Sequence, residues 1–131
     1  MKNQVLSIEQ MQKLKELWVD TSKASMHFLY MPTAKSIMSG VYEVDDEPEV
    51  FVSQNGMNHE HPTFTLQDII ELLPYTFDNF YLKIYRGINM YYFIYESINS
   101  EDDIIEKGNT PLLAAYNMLI WVIENGYLKT K

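Results

Sequence analysis

The most constraining stretch of this chain is residues 109–128, which read NTPLLAAYNMLIWVIENGYL. Thr110 is a favourable N-cap, Pro111 suits the first helical position, and Gly126 can adopt the left-handed conformation that ends a helix. The stretch therefore predicts a helix over residues 111–125. A helix this apolar must be covered on most of its surface, so the rest of the chain has to supply that cover.

The apolar residues of this helix do not define a single narrow face. At 100° per residue, one line of side chains predicts a core-facing surface. That line comprises Leu112, Tyr116, Leu119 and Ile123. The opposite side carries Ala114, Met118 and Trp121, where charged residues would be expected. Either a second element of the chain covers this side or a partner does, and Met118 and Trp121 are therefore candidate partner-binding residues.

The composition indicates one globular domain spanning residues 1–131. A chain of 131 residues with 47% hydrophobic residues is large enough to bury a sizeable core. There is no cysteine, which excludes disulfides and thiolate metal sites and indicates either a reducing compartment or indifference to redox state. The first residues lack the apolar run of a signal peptide, and no run approaches the roughly 20 residues of a membrane span. We therefore expect a cytoplasmic protein that does not contact membranes.

The charge and the aromatic content point toward protein rather than nucleic-acid partners. A formal net charge of −8 repels phosphate backbones, so no nucleic-acid binding is expected. The ten tyrosines, eight methionines and two tryptophans belong to residue types enriched at protein interfaces as well as in cores. The same acidity also serves solubility, which is its commoner role.

Two further helices are predicted, over residues 7–19 and 65–73. Ser7 and Gln10 form a capping box, and Met11, Leu14 and Trp18 form an apolar stripe. For the second helix, Thr65 is the N-cap and Asp68 occupies the reciprocal position, although less favourably than a glutamate would. Pro74 cannot continue this helix.

About five strands are predicted between these helices. Residues 25–31, a run from Ile37 to Val44, and residues 50–52 favour extension, and an acidic turn joins the last two in a hairpin. Residues 53–62 have the composition of a loop. Two strongly β-prone runs, 80–86 and 90–97, flank Gly87 and Ile88, a pair that suits a type II′ hairpin turn.

A two-residue turn fixes the pairing of the second hairpin. The predicted opposing pairs are Ile84 with Tyr91, Leu82 with Phe93, and Phe80 with Tyr95. All six side chains then share one face, and the other face is mixed but still apolar in part. The resulting element order, α-β-β-β-α-β-β-α, predicts an α+β domain with three helices packed on a mainly antiparallel sheet.

One histidine pair suggests a metal site. His59 and His61 are two residues apart, so in an extended strand both imidazoles could contact one ion. A third ligand would have to come from a distant carboxylate, because zinc sites need three or four protein ligands. We therefore weigh a metal-dependent hydrolase against an ordinary solvated loop, which the residues favour.

The acidic turn offers a second candidate. Asp45, Asp46 and Glu47 lack the alternating ligand pattern of a calcium loop, so a solvated turn is the simpler interpretation. The same residues could form an acidic surface for a basic partner protein.

No motif in the chain specifies a reaction or a cofactor. The sequence contains no G-x-S-x-G nucleophile elbow, no Walker loop and no G-x-G-x-x-G turn. We therefore expect no cofactor and assign no catalytic residue.

Three phrases of the chain resemble a known group of proteins. They are LSIEQMQKLKELWVDTSKASM, PTFTLQDIIELLP and AAYNMLIWVIENGYL. The group comprises short acidic hypothetical proteins from genomes, prophages and other mobile elements of gut-dwelling anaerobic bacteria. The resemblance implies a cytoplasmic protein of a mobile element, and it implies no activity, cofactor or catalytic residue.

The sequence leaves three functional hypotheses open. The first is a non-enzymatic protein-binding module, such as an inhibitor or an immunity-type accessory protein, with Asp45, Asp46, Glu47, Met118 and Trp121 as contact residues. The second is a metal-dependent hydrolase that uses the His59/His61 loop. The third is a self-associating structural protein in which Trp121 lies in a homodimer interface.

Overall fold

The computed structural model describes residues 4–29, 49–52, 61–99 and 102–128. The described residues form three helices and seven strands, and the predicted α+β class is confirmed. The helices are α1 (Ile8–Glu16), α2 (Leu66–Leu72) and α3 (Pro111–Glu124). The strands are β1 (Met26–Leu29), β2 (Glu49–Val52), β3 (His61–Thr63), β4 (Thr76–Phe77), β5 (Phe80–Arg86), β6 (Tyr91–Ser97) and β7 (Ile104–Gly108).

The strands belong to two antiparallel sheets rather than one. The smaller sheet has the order β2-β1-β3 and the larger sheet has the order β4-β5-β6-β7. The first two residues of β3 belong to residues 53–62, which were predicted to be a loop. The predicted strand over residues 37–44 and the acidic turn after it lie outside the described residues.

Helix α1 begins as predicted and ends earlier. The Ser7 hydroxyl accepts from the Gln10 N–H, and the Gln10 side chain accepts from the Ser7 N–H, which completes the capping box. At the other end, the Val19 N–H donates to the Leu14 carbonyl, and Trp18 has a φ of 66°. This left-handed end turns Trp18 away from the apolar stripe, and its side chain is 68% exposed. Of the predicted stripe, Met11 and Leu14 are buried and Trp18 is not.

Asp68 of helix α2 forms hydrogen bonds with Ser25, the residue that precedes β1 of the smaller sheet. Thr65 and Asp68 form the predicted capping box. The same Oδ2 atom of Asp68 also accepts from the Ser25 N–H at 3.1 Å and from the Ser25 hydroxyl at 2.7 Å. A cap that local sequence predicts therefore also connects segments 43 residues apart.

The β5–β6 hairpin has a longer connection than predicted. Arg86 pairs with Tyr91, so residues 87–90 connect the strands, and Gly87 lacks the positive φ of a type II′ turn. The actual pairs are Ile84 with Phe93, Leu82 with Tyr95, and Phe80 with Ser97, a shift of two residues from the predicted pairs. Because side chains alternate with a period of two, this shift leaves each residue on its predicted face.

Strand β7 was not predicted from the sequence, and it forms an edge strand of the larger sheet. Ile105 pairs with Ile94 of β6, and Gly108 pairs with Tyr91. A Cβ atom at Gly108 would lie only 2.6 Å from the backbone nitrogen of Ala114. Glycine at this position therefore allows α3 to begin directly against the end of β7.

Helix α3 has the predicted caps, but it is rotated about its axis relative to the prediction. The Thr110 hydroxyl accepts from the Leu113 N–H, Pro111 begins the helix, and Gly126 has a φ of 78°. The fully buried side chains are Ala114, Ala115, Met118, Leu119 and Val122. At 100° per residue this face lies about a quarter of a turn from the predicted line. Alanine on this face allows the helix to approach the sheet closely, which the longer side chains of the predicted line would prevent.

The buried side of α3 packs on one face of the larger sheet, which we call the inner sheet face. Phe93 and Tyr95 of this face are fully buried in the same cluster as Leu14, Phe64 and Met118. The Tyr95 hydroxyl donates to the Pro74 carbonyl at 2.7 Å, and burial raises the pKa of the phenol. Met118 is thus covered within the chain, so its proposed role as a partner contact is wrong.

Candidate protein-binding surfaces

The opposite face of the larger sheet, which we call the outer sheet face, is not part of the hydrophobic core. Because side chains alternate along each strand, this face follows from the register of β5, β6 and β7. Its side chains are Tyr81, Lys83, Tyr85, Tyr92, Ile94, Glu96, Ile105 and Lys107. None of them belongs to the core cluster that includes Phe93 and Tyr95.

Aromatic and aliphatic side chains dominate the centre of the outer sheet face. Tyr85 is 59% exposed and Ile105 is 54% exposed. The rings of Tyr85 and Tyr92 lie 5.9 Å apart in a tilted arrangement. Ile94 lies opposite Ile105, and Tyr92 lies opposite Lys107. These cross-strand neighbours form a continuous apolar surface with a lysine at its margin.

A polar network orders the other end of the outer sheet face. The Lys83 ammonium lies 2.6 Å from Oε2 of Glu96, and the Tyr81 hydroxyl donates to the same oxygen at 3.0 Å. The hydrogen bond from Lys83 lowers the pKa of Glu96, and that bond raises the pKa of Lys83. The Lys83 nitrogen also lies 5.6 Å from the centre of the Tyr81 ring. Glu96 therefore neutralises Lys83 and helps to hold Tyr81 in place.

On the helical side of the molecule, a pocket of about 320 Å³ lies along the outward side of α3. We call it the α3 pocket. Its lining residues are Lys13, Glu106, Tyr116, Asn117, Ile120, Trp121, Glu124 and Asn125. Most of them project from α3, while α1 contributes Lys13 and β7 contributes Glu106.

Glu106 is the least well compensated charge of the α3 pocket. It lies on the inner sheet face and is half-buried, because β7 is in contact with α3. Among the described residues, no group donates a hydrogen bond to its carboxylate or forms an ion pair with it. Burial raises its pKa, and burial likewise raises the pKa of Tyr116. Partial burial of a carboxylate that has no protein donor carries a desolvation cost.

The two asparagines of the α3 pocket are oriented by hydrogen bonds to the backbone. The Asn117 amide group donates to the Lys107 carbonyl at 2.9 Å, and the Asn125 amide group donates to the Trp121 carbonyl at 2.8 Å. Each bond uses a side-chain donor and leaves the amide oxygen available as an acceptor.

Trp121 is half-buried and takes part in an aromatic cluster near the end of α3. Its ring is stacked with Tyr127 at 5.7 Å and lies 6.3 Å from the ring of Phe77. Phe77 and Tyr127 are themselves stacked at 4.1 Å. The chain thus covers Trp121 in part and leaves it bordering the α3 pocket, so Trp121 remains a candidate contact residue.

A second cavity of about 480 Å³ lies where α2 and α3 begin. Its apolar lining includes Val5, Met26, Leu66 and Leu112. The hydroxyls of Thr65 and Thr110 also border it, but both accept capping hydrogen bonds from their own helices. The lining offers little polar chemistry with which to select a ligand.

Most of the other residues proposed from sequence are not described by the structure. Asp45, Asp46, Glu47 and His59 lie outside the described residues, and His61 is placed only through the backbone of β3. Within the described ranges, no three histidine, aspartate or glutamate side chains form a group that could hold a metal ion. The metal site at His59 and His61 therefore stays a prediction.

Sequence reasoning missed Glu106, Tyr85 and Ile105 as surface candidates. The predicted alternation places Tyr85 on the face opposite Phe93, which is correct, although no local feature indicated that this face would be left uncovered. Glu106 and Ile105 escaped notice because β7 was not predicted. The β7 sequence, IIEKG, is too short and too polar for its alternation to distinguish a strand from a charged connection.

No protein-family model, curated protein sequence or solved structure matches this chain. Across the parts of the chain that the structure describes, no helix combines the length and the apolar character needed to span a bilayer. The surfaces described above are therefore interpreted from their own chemistry.

Proposed function

We propose that the chain is a non-enzymatic protein-binding module that docks a partner protein on its outer sheet face. One observation carries this proposal: Phe93 and Tyr95 of the inner face are fully buried in the core with α3, whereas Tyr85 and Ile105 of the outer face are more than half exposed. Exposed apolar patches on soluble domains commonly mark interaction sites.

The composition of the outer sheet face suits a protein interface. Tyrosine is enriched in interfaces and provides a large contact area at a low cost in side-chain entropy. The Tyr85–Tyr92 ring contact and the bonds of Glu96 order part of this surface before any partner arrives. An ordered surface loses less entropy on binding, which favours affinity.

The charges of the face define the kind of partner that it fits. Glu96 neutralises Lys83, whereas the ammonium of Lys107 forms no ion pair with any described residue. The complementary surface is therefore an apolar patch of a protein with a carboxylate placed to pair with Lys107. Nucleic acid is a poorer match, because single-strand binders add a strongly basic groove and this chain has a net charge of −8.

Docking on the face is favoured over strand addition at the edge of β7. A free sheet edge would offer backbone groups to an incoming strand. Here the Asn117 side chain already donates to the Lys107 carbonyl, so part of the edge is occupied. The outer sheet face is free of such a cover among the described residues.

The biological role that we propose is that of an inhibitor or immunity-type accessory protein of a mobile element. The resemblance to short acidic proteins of prophages and other mobile elements supports this role, and so does the lack of catalytic motifs in the sequence. The metal-dependent hydrolase is the competing hypothesis, and no described contact favours it. Elemental analysis of protein purified without chelator tests that alternative directly.

The proposal is tested by separating the outer sheet face from exposed residues elsewhere. The test variant is Tyr85→Ser with Ile105→Ser, and the control variant is Tyr75→Ser with Ile88→Ser, which removes comparable exposed side chains outside this face. Immobilised wild type and both variants are incubated with lysate of the native host, and captured proteins are quantified by mass spectrometry. We expect one protein, captured by wild type and by the control, to fall at least about tenfold with the test variant.

Cross-linking through Lys107 to a carboxylate of the captured protein would then place the partner on this face. Equal capture by the test variant would contradict the proposal, provided that circular dichroism shows both variants to be folded. Light scattering supplies the remaining outcome. A wild-type dimer that the test variant dissociates would show that the occupant is a second copy of this chain, and the partner-protein proposal would be replaced.

A further inference from the structure

We propose that the α3 pocket is a second binding site, whose ligand is the guanidinium group of an arginine presented by a polypeptide. This site lies on the helical side of the larger sheet, so it is separate from the outer sheet face and does not depend on the function proposed above.

The first argument is the balance of donors and acceptors. The carboxylates of Glu106 and Glu124 line the α3 pocket, and the amide oxygens of Asn117 and Asn125 remain free because their amide nitrogens donate to backbone carbonyls. Four side chains therefore supply acceptors, Lys13 and Trp121 supply only donors, and the Tyr116 hydroxyl can do either. A guanidinium group carries five N–H donors and no acceptor, so it complements this lining.

The second argument is charge. The lining contains two carboxylates and one ammonium, and the half-buried carboxylate of Glu106 has no donor among the described residues. Removing a carboxylate from water without a partner is unfavourable, and a bidentate guanidinium would satisfy it. An anionic ligand would be repelled by both carboxylates.

The third argument is the aromatic wall. Trp121 and Tyr116 both border the pocket, and the stacking of Trp121 with Tyr127 fixes the indole orientation. A guanidinium group is planar, weakly hydrated and stacks on aromatic rings, whereas an ammonium acts as a compact point charge. The pocket volume of about 320 Å³ lies at the lower end of the range for ligand sites, which suits one side chain.

The probe for this proposal is Nα-acetyl-arginine amide, and its matched control is Nα-acetyl-citrulline amide, which has nearly the same shape and no charge. Binding is followed by the NMR signal of the Trp121 indole N–H, which a Trp18→Phe variant assigns. We expect saturable shifts with the arginine probe and none with citrulline. The lysine probe, Nα-acetyl-lysine amide, is expected to bind several-fold more weakly than arginine.

Three variants test which residues hold the probe. Glu106→Gln should weaken arginine binding by about tenfold, because it removes the charge and keeps the shape. Glu71→Gln, which changes an exposed acid on α2, should leave binding unchanged. Lys13→Met should strengthen it several-fold, because the Lys13 ammonium opposes an incoming cation.

Several results would overturn the assignment. Equal binding of arginine and citrulline, equal binding of arginine and lysine, no saturable shift, or unchanged affinity in Glu106→Gln would each contradict a guanidinium site. The outer-face variant Tyr85→Ser with Ile105→Ser should bind arginine as wild type does. Loss of partner capture and loss of arginine binding are thus measured separately, so either proposal can fail alone.

Discussion

The two faces of the larger sheet carry the same kinds of side chain but differ in how deeply these side chains are buried. Along β6, Phe93 and Tyr95 point to the inner sheet face and are fully buried, while Tyr92 and Ile94 point to the outer sheet face and are partly exposed. Residue type alone does not separate them. The difference arises because α3 packs on one face, so burial here depends on tertiary placement.

This contrast separates the aromatic residues that stabilise the fold from those that we propose to serve recognition. Tyr95 contributes through burial and a hydrogen bond to Pro74, so its replacement should reduce stability. Tyr85 buries little surface on folding because most of its side chain stays in water. Its contribution to the free energy of unfolding should therefore be small. The following experiments test this division, beginning with the largest expected effect.

The largest difference is expected between Tyr95→Ala and Tyr85→Ala. Tyr95→Ala creates a cavity in the core and should lower the free energy of unfolding by about 3–5 kcal/mol. Tyr85→Ala should lower it by less than about 1 kcal/mol, because the side chain is mostly exposed. Urea denaturation followed by circular dichroism measures both. Similar losses for the two variants would show that the outer sheet face is covered in solution.

The next effect concerns space on the inner sheet face. Gly108→Ala would place a Cβ atom against the backbone of α3, and the helix can relieve this contact only by moving away from β7. We expect a loss of about 1–3 kcal/mol in the free energy of unfolding. Lys107→Ala, one residue earlier and on the outer sheet face, is the control and should change it by less than about 0.5 kcal/mol. Equal stability of Gly108→Ala and wild type would argue against close packing of α3 on β7.

A smaller effect isolates the hydroxyl groups of the two faces. Tyr95→Phe removes the donor to the Pro74 carbonyl and should cost about 1 kcal/mol. Tyr81→Phe removes the donor to Glu96, which retains Lys83 and solvent, so its cost should be clearly lower. Thermal unfolding of both variants at the same pH gives the comparison. The order would be reversed if the Glu96 network, rather than the core, were the more important polar contact.

The smallest effect depends on pH. Because burial raises the pKa of Glu106 in the folded protein, stability should fall as pH rises through the window from the unfolded value, near 4.5, to the higher folded value. Glu106→Gln removes this loss and should be more stable than wild type at neutral pH, by less than about 1 kcal/mol since solvent screens a half-exposed group. The difference should disappear below about pH 4. A stability difference that is independent of pH would contradict this cause, and Glu71→Gln serves as the control.

Local signals in the sequence predicted the helices well. Ser7 with Gln10, Thr65 with Asp68, and Thr110 with Pro111 define helix starts through contacts within three residues, so no tertiary information is needed. The faces of the β5–β6 hairpin were also correct, because alternation is a local property. Its pairing was not, since the length of the connection after Arg86 is not fixed by Gly87 alone.

What depended on tertiary packing could not be predicted. Helix α3 is apolar on nearly every side, so its sequence allows several orientations, and the alanines at 114 and 115 determined which one packs against the sheet. Strand β7 owes its conformation to pairing with β6 rather than to its own residues. The α3 pocket is lined by residues of α1, β7 and α3. It could therefore not be predicted without knowing the orientation of α3 and the presence of β7.

The hydrogen bonds of Asp68 have a consequence for the order in which the chain folds. The segment 76–124 contains β4 to β7 and α3. Each strand of this segment pairs with the next strand in sequence, so only short loops have to close. Ser25 must instead find Asp68 across 43 residues, which carries a larger loop-closure entropy. We therefore expect the C-terminal half to form the folding nucleus and the Ser25–Asp68 contact to form late. Asp68→Ala should accordingly speed unfolding far more than it slows folding.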